Sequence, residues 1–196
     1  MREHPGSTDA SGRLVVVTGP SGAGKGTLIA RLVARRPDLE IAVSATTRPR
    51  RETEVDGRDY YFLTDDEFTQ RVERGQFLEY VVYVSGHRYG TLVSEVDRIL
   101  GAGRSCLLEL ETAGARRVKE LRPKTVTVFV APPSFAELAR RLEERATESA
   151  GEIGERLALA RAQTEEQDDF DYVVVNDNLE RAVAELDSLL VPAGRE

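Results

Sequence analysis

The chain has 196 residues, 40% of them hydrophobic and 31% charged, and a formal net charge of −7 at pH 7. That length suits one compact domain carrying small inserted lobes, with enough apolar residues for a real core. The acidic balance excludes a general nucleic-acid-binding surface, so no nucleic-acid polymer is expected as a partner. The single cysteine, Cys106, excludes an internal disulfide framework, and no apolar segment approaches membrane-spanning length.

Residues 1–12 are polar and interrupted by Pro5, Gly6 and Gly12. They lack the apolar centre of a signal peptide and read as a disordered tail, which leaves the cytoplasm as the expected location. Leu14-Val15-Val16-Val17 is a continuous apolar run and predicts a buried strand. It leads into Gly19-Pro20-Ser21-Gly22-Ala23-Gly24-Lys25-Gly26-Thr27, after which Leu28, Ile29, Leu32 and Val33 fall at helical spacing. Strand, glycine loop, lysine and helix form the context of a phosphate-binding loop. Glycines let several backbone N–H groups turn toward one anion, the helix adds its unpaired N–H groups, and Lys25 brings a full charge. The strict pattern expects Ser or Thr directly after the lysine to hold magnesium; here Gly26 intervenes and Thr27 follows. The plain alternative is a glycine-rich turn with no ligand.

Leu39 to Val43 is a second apolar stretch ending at Ser44. Ala45 to Asp59 is polar, basic and turn-forming, and reads as a loop feeding strands; Tyr60-Tyr61-Phe62-Leu63 is a strand candidate. Thr64 and Glu67 fit a capping box that opens a short helix, and Phe77 to Val84 reads as another strand. Ser85-Gly86-His87-Arg88 is a turn, and Tyr89-Gly90-Thr91 leads back toward a helix.

Regular alternation follows. Helices over Leu92–Leu100 and Ala115–Leu121 flank a strand over Ser105–Glu111, and Thr125–Val130 is the next strand. Ser134 and Glu137 form a second capping box before a helix bearing Leu138 and Leu142. Ala146 to Gly154 is small, polar and acidic and reads as a mobile lid, with a polar helix continuing to about Glu166. Tyr172–Val175 is a last buried strand and Leu179–Leu190 a last amphipathic helix. Alternating strands and helices imply an α/β fold with a parallel sheet covered on both faces. Ligands in such sheets bind at the carboxyl ends of the strands, where both the glycine loop and Ser44 lie.

From about Leu14 to Leu190 the chain resembles the guanylate kinase family. The glycine loop is shared widely, and its Gly-Lys-Gly-Thr spelling also resembles adenylate kinases. Thr46-Thr47-Arg48, Arg51, Glu54-Val55, Gly57 and Asp59-Tyr60 are more specific and resemble the family's GMP-recognition segment. Phe77-Leu78-Glu79, Tyr89-Gly90-Thr91, Arg141-Leu142, Arg145, Thr147-Glu148, Arg156-Leu157 and Val175-Asn176-Asp177 match in the family's order. The resemblance implies a P-loop, three-layer α/β/α architecture with a mainly parallel sheet. Its core would run over 13–43, 91–145 and 165–196, with a strand-rich GMP lobe over 44–90 and a lid over 146–164. It implies transfer of phosphate from ATP to GMP, or dGMP, giving ADP and GDP, with magnesium bound alongside ATP and no obligatory protein partner.

By the same resemblance, Arg48, Arg51, Tyr60 and Tyr89 would hold the GMP phosphate, and Ser44, Glu79 and Thr91 would read the guanine. Arg141, Arg145 and Arg156 would close over the phosphates, and Asn176 would lie near adenine. The chemistry agrees. Arginine forks suit phosphate. A buried carboxylate at Glu79 suits the N1–H and N2 amino donors of guanine and would be left unpaired by adenine. Plain readings stand beside these: a solvated basic turn balanced by Glu52 and Glu54, a Glu79 exposed on an amphipathic strand, and Arg141 and Arg145 as surface charges pairing with Glu137 or Glu144. The chain departs from the family at Gly26, at Glu111-Thr112-Ala113-Gly114 where Asp and Gln are more usual, and at Ala146 in the lid. Thr27 and Glu111 are therefore metal candidates, through water. Two rivals follow from the same residues: a kinase for another small acceptor such as AMP or a sugar phosphate, and a kinase-dead binding module.

Overall fold

The computed structural model describes residues 12–83, 85–144 and 150–190. Five strands build one parallel sheet: β1 (Leu14–Thr18), β2 (Leu39–Ile41), β7 (Ser105–Glu109), β8 (Val126–Ala131) and β9 (Tyr172–Val175), in the order β2-β7-β1-β8-β9. β1 is central, with Val15 opposite Leu107 on one side and Val126 on the other.

Both faces of β1 are buried, which is why its sequence is apolar throughout rather than alternating. Val15 and Val17 point into a core with α1 (Lys25–Arg35) and α7 (Leu179–Leu190), through Leu28, Leu32, Val183 and Leu186. Leu14 and Val16 point into a second core with α3 (Val93–Gly101) and α4 (Thr112–Leu121), through Val96, Ile99, Ala115 and Val118. This is the expected three-layer arrangement. Cys106 is fully buried in the second core, and burial pushes its thiol up to about 12, as suits a small core residue.

A second, mixed sheet interrupts the alternation. Its strands are β3 (Ala45–Thr46), β4 (Tyr61–Phe62), β5 (Phe77–Val82) and β6 (Arg88–Leu92), in the order β4-β3-β6-β5. α2 (Asp65–Glu73) starts at the expected capping box: Thr64 Oγ1 accepts from the Glu67 N–H, and Glu67 accepts from the Thr64 N–H.

The structure departs from the expected elements in four places. Ala45–Thr46, expected in a loop, pairs with both Tyr61–Phe62 and Tyr89–Gly90. Tyr89-Gly90-Thr91, expected as an approach to a helix, is the middle of β6. It pairs antiparallel with Glu79 to Val81, and Gly90 lies where a side chain would meet the Glu79 carbonyl. β7 ends at Glu109, so Glu111 caps α4 rather than ending a strand. At Ser134 half of the expected box forms: its hydroxyl accepts the Glu137 N–H, while the Glu137 carboxylate turns to Arg140 and Arg141. Of the stretch expected to be a lid over 146–164, residues 150–164 lie in α6 (Ala150–Glu165), which follows α5 (Phe135–Glu144) and packs on it through Leu138, Leu142, Leu157 and Ala160. Arg145, Ala146, Thr147 and Glu148 lie outside the described residues, as do residues 1–11 of the tail expected over 1–12.

Candidate active site

The glycine loop joins β1 to α1 at the carboxyl edge of the parallel sheet. Gly24 caps α1 with φ +88°, and a Cβ there would come within 2.5 Å of Asn176 Nδ2, so this position admits glycine alone. Asn176, buried at the end of β9, donates from Nδ2 to the Ala23 carbonyl at 2.8 Å and so braces the loop from below. α1 begins at Lys25, and its first N–H groups, at Lys25, Gly26 and Thr27, have no partner within the helix by geometry. Lys25 Nζ folds over the loop and donates to the Gly19 and Pro20 carbonyls at 2.7 and 3.1 Å. Burial lowers the Lys25 pKa, against the nearby Glu109 and Glu111 carboxylates, which raise it. A cation half stripped of water beside carboxylates is poised to meet an anion that brings charge of the opposite sign.

Two cavities meet in front of this loop. One, of about 520 Å³, is lined by Gly19, Ser21, Lys25, Ser44, Asp59 and Gln163 among others. The other, of about 530 Å³, is lined by Glu79, Tyr89, Gly90, Gly114 and Arg117 among others. Ser44, Tyr60, Tyr83, Glu109, Leu110 and Glu111 line both, so the two form one crevice between the sheets.

Glu79 lines the part of the crevice that lies away from Lys25. It is 7% exposed, and its Oε1 accepts the Thr91 hydroxyl at 2.7 Å. Burial raises its pKa, the Thr91 hydrogen bonds lower it, and the Glu111 charge raises it, the net being upward. A Cβ on Gly114 would stand 3.1 Å from Glu79 Oε2, so the start of α4 closes tightly on this carboxylate. Thr91 is itself buried and reaches the crevice through Glu79.

Tyr60 and Tyr89 line the crevice edge to face, 5.9 Å between ring centroids. The Arg48 guanidinium stands 5.5 Å from the Tyr60 ring centroid. Its fork is taken up by Glu54, at 2.7 and 3.1 Å, and Glu54 also accepts the Arg51 N–H at 2.8 Å. Arg48 therefore stands one ring away from the crevice, and Arg51 is exposed; neither lines it. The balancing of the basic turn by Glu54 is thus real, and it coexists with the approach of Arg48 to Tyr60.

On the other side of the glycine loop a third cavity, of about 320 Å³, is lined by Gly22, Gly24, Thr27, Arg141, Glu144, Asn176, Asp177 and Leu179. Arg141 reaches it while its Nε donates to Glu137 at 2.8 Å. Arg140 and Arg141 together hold the Glu137 carboxyl down to about 2. Arg156, on α6, donates to the Ser21 hydroxyl at 3.1 Å and so touches the loop directly. Thr27 and Glu111, the metal candidates, line different cavities. Glu109 and Glu111 line the crevice together with Lys25. Carboxylate oxygens facing a phosphate loop fit a hard divalent cation held through water.

Several lining residues were not singled out from the sequence, four polar ones among them. Tyr83 donates to Glu111 at 2.7 Å. Glu109 follows the apolar run of β7 at the carboxyl end of a parallel strand, and that position was the available signal. Arg117 on α4 and Gln163 on α6 carry no motif.

Comparison with known proteins bears on this crevice. The family described as guanylate kinase matches residues 11–193. The chain is similar to a guanylate kinase of Synechococcus sp. strain JA-3-3Ab, 47% identical over 192 residues, covering 98% of this chain and 88% of the relative. It is also similar to a guanylate kinase of Rubrobacter xylanophilus, 50% identical over 175 residues and covering 89% of this chain and 91% of the relative. Among solved structures it resembles a guanylate kinase from Anaplasma phagocytophilum with a TM-score of 0.72 and 28% identity, covering 93% of this chain and 86% of that one.

Proposed function

The chain belongs to the guanylate kinase family, and from that premise we propose that it transfers the terminal phosphoryl group of ATP to GMP, releasing ADP and GDP. The observation that carries the reading is Glu79: a buried carboxylate with Thr91 as its neighbour, lining a crevice that Lys25 also lines. Guanine presents two donors, N1–H and the N2 amino group, to such an acceptor. Adenine presents an acceptor at N1 and would leave the carboxylate buried and unpaired. In this reading Ser44, Glu79 and Thr91 read the base, while Tyr60 and Tyr89, backed by Arg48 and Arg51, take the GMP phosphate. The loop from Gly19 to Thr27 cradles the ATP phosphates, with Asn176 bracing it. Arg141, Arg145 and Arg156 complete the cation set.

The acceptor is a phosphate oxygen, largely anionic at neutral pH because its second pKa is about 6, so no general base is required. His87 lies in the turn before β6 and has no part to play. Catalysis rests on alignment and on charge neutralisation by Lys25 and the arginines around the loop. Glu109 and Glu111 would hold a divalent metal through water; we take it to be magnesium, which would supply charge neutralisation to the phosphates of ATP. We further propose that the second sheet, over 44–90, is a GMP lobe that closes on the core. The expected lid over 146–164 includes much of α6, which carries Arg156. Closure excludes water and limits wasteful hydrolysis of ATP.

The proposed setting is cytoplasmic, with dGMP as a second acceptor. No helix among the described residues is long and apolar enough to cross a membrane. A panel of GMP, dGMP, AMP, CMP and UMP with ATP and magnesium, followed by coupled ADP release, tests the reading. GMP is expected to be phosphorylated far faster than AMP, CMP or UMP. Equal rates with AMP would overturn the assignment, and an absence of turnover with any acceptor would favour a binding module.

A further inference from the structure

We propose that Glu95 is a positioning residue for the GMP site, holding the chain where it crosses between the two sheets and thereby setting where Ser44 and Tyr60 stand. Glu95 lies in the first turn of α3, where an acidic residue needs no more explanation than the helix dipole. Its surroundings ask for more. It is 3% exposed, and its carboxylate accepts four hydrogen bonds: from the Val43 N–H at 3.2 Å, the Tyr61 hydroxyl at 3.1 Å, and Arg98 Nε and Nη2 at 2.9 and 3.0 Å.

These partners come from different parts of the fold. Val43 lies between β2 and β3, on the stretch that leaves the parallel sheet for the mixed one. Tyr61 is the first residue of β4, and its N–H donates to the Ser44 carbonyl at 2.9 Å. The contacts close a ring: Glu95 to Val43, along the chain to Ser44, across to Tyr61, and back to Glu95. Arg98 also bonds Glu40 on β2, tying the ring to the parallel sheet. Ser44 and Tyr60, the residues next to Val43 and Tyr61, both line the crevice on its Lys25 side and on its Glu79 side.

A buried carboxylate is costly unless its acceptor positions are filled in good geometry, so this ring tolerates little displacement. Burial works against the charge, but Arg98, the Val43 N–H and the Tyr61 hydroxyl outweigh it and hold the carboxyl below the usual carboxylate range. Glu95 touches neither Lys25 nor Glu79. Its effect passes through backbone placement of Ser44 and Tyr60, and the inference rests on the reading of those two as GMP ligands.

The test uses the full chain and steady-state kinetics, varying GMP at saturating ATP and ATP at saturating GMP. Glu95→Gln sets an amide N–H₂ against donors and is expected to raise the KM for GMP about tenfold, leaving the KM for ATP within about twofold. Tyr61→Phe removes one hydroxyl and is expected to raise the KM for GMP about threefold; it carries the test by itself if Glu95→Gln does not fold. Ser44→Ala is expected to raise the KM for GMP as a single change and to add less than its separate factor when combined with either variant, because the contact of the Ser44 hydroxyl with GMP is one of the two that Glu95 and Tyr61 position. Parallel rises in both KM values, or factors that multiply in full, would overturn the inference. An effective Ser44→Ala with silent Glu95→Gln and Tyr61→Phe would overturn it alone. A silent Ser44→Ala would overturn the reading of Ser44 and this inference with it.

Discussion

Tyr83, just beyond β5, and Glu111, the cap of α4, meet across the crevice, the phenol donating to the carboxylate at 2.7 Å. The contact links the mixed sheet to the core at a point both cavities share. Burial and the Glu111 carboxylate push the Tyr83 hydroxyl well above the usual phenol range, so it stays a donor throughout the working pH range. The longer reach of Glu111, where the family more often has Asp, suits this contact. Tyr83→Phe is expected to lower the unfolding free energy by about 1 kcal/mol and to leave turnover within about threefold. Denaturant titration beside the coupled assay checks both; a loss of turnover beyond tenfold would mean that the phenol touches the reacting groups.

Glu79 links pH to both stability and base reading. Its pKa is raised by burial, so in the window between the unfolded value and the raised one the folded chain binds more protons than the unfolded chain. Stability accordingly falls as pH rises through that window, and the ionised carboxylate is a standing cost above it. Affinity for GMP runs the other way, declining as pH drops through the raised pKa and the carboxylate is lost as an acceptor. Glu79→Gln is expected to flatten the acid limb of the stability profile. It should also lower kcat/KM for GMP about 10²-fold while leaving ATP affinity intact. Thermal unfolding across pH, with kinetics for each nucleotide, measures these together.

Lys25→Met separates charge from folding. The native contacts of the ammonium group are with two loop carbonyls, and burial already lowers its pKa, so its charge does not hold the fold together. Turnover is expected to fall at least 10²- to 10³-fold, as for the loss of a preorganised charge at a transferring group. The melting temperature should change by a few degrees at most. Retained turnover would remove Lys25 from the phosphate site.

Arg48 and Glu54 form a forked pair whose guanidinium faces the Tyr60 ring. Arg48→Ala is expected to raise the KM for GMP about 10²-fold, since the positive charge that backs Tyr60 and Tyr89 at the proposed phosphate position is lost. Glu54→Gln keeps the arginine but weakens the brace that aims it, and a rise of about tenfold is expected. Both should leave the KM for ATP unchanged. Equal effects of Arg48→Ala on both substrates would argue that the fork serves the fold rather than GMP.

Much of this was legible in the residue order. The apolar run of β1, the glycine loop, the α2 capping box and the position of Glu79 on a strand are all local signals. Each is set by burial or backbone geometry within a few residues. Errors occurred where pairing overrode local character. Ala45–Thr46 and Tyr89–Gly90 are strands because they pair with each other across more than forty residues, and no short window holds that information. Glu95 carries no motif in the helix expected over Leu92–Leu100, and Tyr83 lies in the strand expected over Phe77–Val84 with nothing to set it apart.

The residue order determined the phosphate loop, the layered α/β architecture and the residue types available to grip a nucleotide, because periodicity and glycine placement act over one or two turns of chain. Tertiary structure alone decided which carboxylates meet donors from distant parts of the chain. Glu79 found Thr91, Glu111 met Tyr83, and Glu95 gathered Val43 and Tyr61. A carboxylate's partner depends on which strands pair and which helix packs above it, and that choice is made only when distant segments come together.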